Sequence, residues 1–192
     1  MSKADPASHK KERNKAIRWV ITIFFVTILI SGAISLISEE IMAASGMAVA
    51  FVILLAIVLV GILFDVVGVA VTSADEKPFH SMAARKVPGA RQSIALLRNA
   101  ERVSSICNDV VGDICGVVSG SASATIAAQV LNRFEFSWPR IVLLVMSALV
   151  AGLTVGGKAI GKAYAIHRST QIVHSVGRVL YFFDRLFHKK SK

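Results

Sequence analysis

The sequence predicts an all-α, polytopic membrane protein with four transmembrane helices and further amphipathic helices at the membrane surface. Three observations carry this expectation. The 192 residues are 54% hydrophobic and only 18% charged, with a mean hydropathy of +0.63, which is too apolar for an ordinary soluble domain. Four stretches, Trp19 to Ile37, Met47 to Val71, Ser104 to Leu131 and Trp138 to Gly157, approach or exceed the roughly 20 apolar residues that cross a hydrocarbon core. Finally, the basic residues are sorted by side.

Residues 1–18 form a basic segment containing Lys3, Lys10, Lys11, Arg13, Lys15 and Arg18. Residues 73–103, between the second and third helices, contain Lys77, Arg85, Lys86, Arg91, Arg98 and Arg102, and a further basic group from Lys158 to Lys192 follows the fourth helix. Of 22 Lys and Arg, only Arg133 and Arg140 fall in the remaining loops, the first of which also carries Glu39 and Glu40. The positive-inside rule places both termini and the 73–103 segment in the cytoplasm, with the chain in a cell (inner) membrane. The net charge of +10 follows from that topology and from attraction to anionic headgroups, so no nucleic-acid partner is expected.

The first helix exceeds the 7–15 apolar residues of a signal-peptide core and is read as an uncleaved signal anchor. Its Thr27, Ser31, Ser35 and Ser38 share one face. The second helix places Gly61, Asp65, Gly68 and Thr72 on one face. On the third, at 100° per residue, Ser105, Asp109, Gly112, Asp113, Gly116, Gly120, Ser123 and Ala127 fall within about 80°. Val110, Val111, Ile114, Val117 and Val118 lie away from that stripe and are expected to meet lipid. Gly112, Gly116 and Gly120 form a small-residue run that lets helices approach closely. The fourth helix aligns Ser147, Thr154, Gly157 and Gly161. Four polar or small stripes predict a bundle with a polar interior. Cys107 and Cys115, about 12 Å apart along one helix, cannot bond to each other and are read as packing residues.

Depth makes the acidic residues candidates for function. Asp65 and Asp113 each lie about 12–13 Å from the basic end of their antiparallel helices. Asp109 is one turn nearer that end, with Asn108 beside it. Each carboxylate costs about 2.5–3.5 kcal/mol in the bilayer. Neither of these two helices carries a Lys or Arg at this depth, so protons, water or a bound cation must compensate. Asp65, Asn108, Asp109 and Asp113 form an oxygen-only ligand set suited to a hard divalent cation such as Mg²⁺. The absence of His and Cys pairs at this level argues against zinc or copper.

Residues 163–192 are read as a cytoplasmic amphipathic C-terminal helix. Ile172, Val176, Val179, Leu180, Phe183, Leu186 and Phe187 form its apolar face, while His174, Arg178 and Arg185 lie elsewhere. After Pro88-Gly89, Arg91, Arg98 and Arg102 oppose Ile94, Leu96, Leu97 and Ala100. Both segments fit helices lying along the inner membrane surface. His167, His174 and His188 share no ligand spacing and are read as surface residues.

From about residue 63 to 165 the chain resembles the transmembrane domain of the cyclin M/CorC (CorB) magnesium transporters. The resemblance is carried by Leu63-Phe64-Asp65 through Ala70-Val71-Thr72-Ser73, by Gly89 through Arg102, by Cys107-Asn108-Asp109 with the glycines after it, and by Lys158-Ala159-Ile160-Gly161-Lys162. It implies a homodimeric domain within the four-helix region 19–162, a polar cavity open to the cytoplasm, and a Mg²⁺ site near Asp65 and Asn108. The chain departs from the family at Asp65, where the family has serine, and at Gly68, where it has glutamate. The family's E-x-x-P lead-in to Lys158 is missing, an extra first helix precedes the domain, and no CBS pair is expected after Lys192. The resulting expectation is a non-enzymatic divalent-cation transporter or ion-binding membrane protein. An accessory or regulatory subunit working with a membrane partner is the main alternative. An intramembrane aspartyl protease using Asp65 and Asp113, or an organic-cation exporter, is less well matched.

Overall fold

The computed structural model describes residues 6–133 and 138–188; for residues 6–16, 43, 187 and 188 it describes the backbone alone. Lys3, Lys189, Lys190 and Lys192 of the terminal basic segments lie outside the described residues. All described secondary structure is helical. In chain order the elements are α1 (Pro6–Ala44), α2 (Met47–Ser73), α3 (Lys77–Ala84), α4 (Ala90–Arg98), α5 (Ala100–Ser105), a π-helical segment (Ile106–Gly112), α6 (Asp113–Arg133), α7 (Pro139–His167) and α8 (Ser169–His188).

Four helical stretches are long and apolar enough to cross a bilayer: Ile17–Met42, Met47–Ser73, Ala100–Arg133 and Pro139–His167. The third is continuous through α5, the π segment and α6. Their outer faces are apolar: Phe24 and Leu29 on α1, Val52 and Leu63 on α2, and Leu144, Leu149 and Val155 on α7 are all exposed. A surface of this kind is stable in contact with lipid rather than water.

The second span, α2, packs against α6, α7, α5 and α8, while α1 packs mainly on α6. Glycine on α2 and α7 permits this. A Cβ on Gly61 would sit 2.8 Å from Cys115 Cβ of α6, and one on Gly157 or Gly161 would collide with Ile62 or Val66 of α2. The small-residue run of α6 behaves differently from its expected role: a Cβ on Gly116 or Gly120 would meet nothing within 4 Å. Close packing is therefore supplied by Gly61, Gly157 and Gly161.

The core has three parts. Met42, Ala50, Leu54, Val58, Ala122, Ile126 and Val150 pack toward one end. Val110, Ile114 and Val118 pack with Ile23 and Ile57. These three valine and isoleucine side chains were expected to face lipid, as was Val117, which is indeed 63% exposed. The π segment explains part of the difference. Its wider turn holds about one extra residue, which rotates later side chains by roughly 100° relative to an unbroken α-helix. Contacts from both α1 and α2 then cover the face bearing Ile114 and Val118.

At the basic end, Ala70, Val71, Phe79, Ala165 and Val173 are buried together. Here α3, α4 and α8 form a cap under α2 and α7. The apolar side of α4 (Ile94, Leu96, Leu97) is turned onto this cluster, so protein covers that side of the helix. Gly89, at φ 87°, starts α4 in the left-handed region that favours glycine. It abuts Gly177 and Arg178 of α8, and a Cβ on Gly177 would collide with Ser93 Oγ. Ser93 Oγ lies 3.0 Å from Gly89 O and 3.2 Å from Val173 O, tying the two helices together.

Gly61→Ala is expected to cost about 1–3 kcal/mol through overpacking against Cys115. Gly152→Ala on α7, where an added Cβ meets nothing within 4 Å, should be neutral or stabilising by up to about 1 kcal/mol. Thermal melts of the two purified variants in the same detergent provide the comparison.

Candidate functional site

The site is built around Asp65, which is 3% exposed on the inner face of α2. Gly61 and Gly68, on the same face, are also buried, while Thr72 one turn on is exposed. Two lysines from α7, one turn apart, reach the Asp65 carboxylate. Lys158 Nζ lies 3.7 Å from Oδ1 and Lys162 Nζ lies 3.5 Å from Oδ2. Lys158 Nζ also donates to Gly112 O at 3.3 Å. A Cβ on Gly112 would lie 3.2 Å from Lys158 Nζ and 3.6 Å from Asp65 Oδ1, so glycine is what lets the lysine pass between α6 and α2.

The neutralising cations expected to be missing are therefore present, and they come from the fourth span. That helix was expected to leave the membrane at Gly157. It continues to His167, which carries Lys158 and Lys162 alongside α2. Removing an uncompensated carboxylate from lipid is the physical reason for the arrangement. One carboxylate against two ammonium groups leaves a surplus of positive charge.

Three independent counts locate this layer. Taking about 20 residues for the hydrocarbon core from Met47 of α2, Arg133 of α6 and Pro139 of α7 reaches Val66, Ile114 and Lys158 respectively. All three land beside the site. Asp65 thus sits at the basic margin of the apolar slab rather than deep within it, because α2 at 27 residues is longer than that slab needs. From there the lysine side chains can extend toward water.

Asn108, in the π segment, packs over Gly68 in the space a side chain at that position would need. Its Nδ2 donates to Ser104 Oγ at 3.2 Å. Its Oδ1 is buried and accepts no hydrogen bond, and the same holds for Asp65 Oδ2. Asp65 Oδ2 is met by the Lys162 ammonium at 3.5 Å, so Asn108 Oδ1 is the acceptor here without a partner, a polar cost unless a donor or cation meets it.

The other expected ligands are elsewhere. Asp109 and Asp113 are both exposed, in contrast to buried Asp65. The expected levels agree, since Gly112 next to Asp113 lies beside Asp65, but the directions do not. Among the described residues no group of three or more His, Cys, Asp or Glu is arranged to hold a metal ion. Asp113, Val117, Gly120, Ala124 and Ala128 instead form an exposed strip along α6. Beside it, Ser119, Ser123, Ser147 and Thr154 line a cavity of about 200 Å³ between α6 and α7. Lys158 and Lys162 are the functional candidates that sequence reasoning missed. Their four-residue spacing, directly after the Ser147–Thr154–Gly157 stripe, was the available signal.

Lys158→Met is expected to destabilise the protein by about 1–3 kcal/mol, because it strips a 20%-exposed partner from a buried carboxylate, moderated by the remaining lysine. Lys162→Met, which removes a 51%-exposed partner, should cost less than about 1 kcal/mol. Equal melting shifts would contradict this ranking.

No family model, curated protein or solved structure matches the chain.

Proposed function

We propose that this chain is a multi-pass membrane protein that binds, and moves across the bilayer, a hard divalent cation such as Mg²⁺. On this reading both termini are cytoplasmic, and a cation competes with Lys158 and Lys162 for Asp65. The observation that carries the proposal is the buried Asp65 carboxylate, whose Oδ2 is held only by half-exposed Lys162, together with the unpartnered Asn108 Oδ1 packed over Gly68, one turn along α2. These oxygens fit part of an octahedral shell in which Mg²⁺ keeps several waters. The two ammonium groups repel a divalent ion, so binding requires them to withdraw. Lys162, half exposed, withdraws at little cost; Lys158 must also release Gly112 O. The lysines then act as internal counter-charges that occupy the carboxylate whenever the ion has left. Resemblance to the cyclin M/CorC transmembrane domain supports the same reading through Asn108 and Lys158, while Asp65 stands where that family has serine.

The outward strip of α6 supports a homodimer. Asp113, at the slab margin on this strip, is costly against lipid, though less than at the bilayer centre, and small residues such as Gly120 and Ala124 allow a second helix to approach closely. Covering the strip with a second copy removes Asp113 from lipid.

A second reading is favoured by the same ion pair. If the lysines hold Asp65 permanently, the cluster is structural, and the chain is an accessory or regulatory subunit to a membrane partner.

Direct measurement separates the two. Under the transport reading, Mg²⁺ or Mn²⁺ raises the melting temperature of the purified chain, Asp65→Asn abolishes that rise, and Lys162→Met lowers the ion concentration needed. Flux into liposomes containing this chain alone follows the same order. Absence of both responses in a folded wild-type protein overturns the divalent-cation reading, and co-purification with a membrane partner then supports the accessory one. For the dimer, Ala124→Cys in a Cys107→Ala/Cys115→Ala background is expected to form an intermolecular disulfide in membranes, whereas Leu149→Cys on the lipid-facing side of α7 is not.

A further inference from the structure

The cap at the basic end contains a second feature, separate from Asp65. Ala83, Lys86, Val87, Pro88, Gly89, Arg91, Gln92 and Tyr181 surround a cavity of about 360 Å³ where the α3–α4 turn meets α8. Lys86 and Arg91 are exposed there. The one acid close by, Asp184, accepts a hydrogen bond from Gln92 Nε2 at 3.4 Å and makes no ion pair with either cation among the described residues.

The adjoining end of α8 is bare. Up to Gly177 the helix is seated on α4 through Val173 and Ser93. From Arg178 to Leu186 every residue is exposed, among them Leu180, Phe182, Phe183 and Leu186 at 40%, 61%, 50% and 53%. Arg178 and Arg185 flank these side chains.

Position says what covers this end. The hydrocarbon margin lies near Val66, and α2 runs about 10 Å further to Ser73. That distance is comparable to the roughly 5–8 Å of a headgroup layer. The cap, whose core includes Ala70 and Val71, therefore begins within the headgroups. A helix end bearing aromatics and arginines, continuing from a helix seated on that cap, matches an amphipathic segment in the membrane interface.

We propose that the α4–α8 cap binds anionic phospholipid. The Lys86–Arg91 pocket takes a headgroup phosphate, and the Phe182–Leu186 end of α8 enters the boundary between headgroups and acyl chains. Cationic side chains over a phosphate supply charge complementarity, Tyr181 adds a hydroxyl donor to the pocket lining, and the aromatic rings remove apolar area from water. The inference rests on the membrane reading of the chain and is independent of any ion at Asp65.

The test uses the full chain in detergent and in nanodiscs. Phosphatidylglycerol is expected to raise the melting temperature in a salt-sensitive manner, and phosphatidylcholine is not. Lys86→Gln/Arg91→Gln should weaken the apparent phosphatidylglycerol affinity roughly 30-fold, about fivefold per cation. Lys77→Gln/Arg102→Gln, which removes two exposed charges outside the pocket, should change it far less. A bimane at Phe183→Cys, in the Cys107→Ala/Cys115→Ala background, should be quenched by spin-labelled lipid. Equal stabilisation by both lipids, equal loss in the two double variants, or an unquenched label overturns the proposal. Inorganic phosphate reproducing the full shift would also overturn it in favour of a soluble anion site. Cross-linking of two copies through position 183 would assign the bare end to a second chain. Asp65→Asn should leave all these responses unchanged, so failure here is distinguishable from failure of the ion reading.

Discussion

A carboxylate at the edge of an apolar slab must be met by positive charge, and much of this architecture follows from how Asp65 satisfies that constraint. Two lysines one helical turn apart on α7 reach it, which fixes the rotation of α7 relative to α2. Lys158 passes beside Gly112, where an added Cβ would lie 3.2 Å from its Nζ, so glycine there eases the approach of the third span. Desolvation makes a single buried charge far more costly than the pair, so these three helices are committed to one mutual arrangement. The same pairing gives the site its functional character. It is a carboxylate already occupied by internal cations, and any external ion must displace them.

The glycines around that cluster divide into two groups by what surrounds them. Gly61, Gly68, Gly157 and Gly161 stand where another side chain already fills the space. They allow α2 to sit between α6 and α7 and allow Asn108 to cover α2. Gly116 and Gly120 face open space on the strip that also carries Asp113. On α6, exposed Gly120, Ala124 and Ala128 alternate with buried Ala122, Ser123 and Ala127 around the circumference. The interior of the single chain is consequently less polar than four aligned stripes implied, because part of the polarity is turned outward.

The cap couples the membrane helices to the basic segments. Phe79, Val71, Ala165 and Val173 share one apolar cluster, so α3, α4 and α8 are extensions of the spans and not independent surface helices. That packing brings the exposed Lys86 and Arg91 together with Tyr181 of α8 around one pocket. Charge distribution, which in the sequence reports only sidedness, becomes in the structure a localised surface.

The helical class, the four apolar spans and the inward faces of α1 and α2 were legible in the sequence, because hydropathy and a 3.6-residue period are local properties. Thr27, Ser31, Ser35 and Ser38 lie half-buried or buried as their spacing required, and Asp65 is interior. What tertiary structure decided was direction and partnership. The π segment rotated α6 so that Ile114 went inward, Val110 turned inward within the π segment itself, and the contacts of α1 determined which remaining face stayed bare. Asp113 reached the level of Asp65 but not its side, since a helical wheel gives depth and relative angle without saying where the neighbours stand. Lys158 and Lys162 looked like the start of a basic tail, because sequence hydropathy ends a span where charge begins. Only packing shows that a lysine beyond that point can fold back onto a carboxylate of another helix.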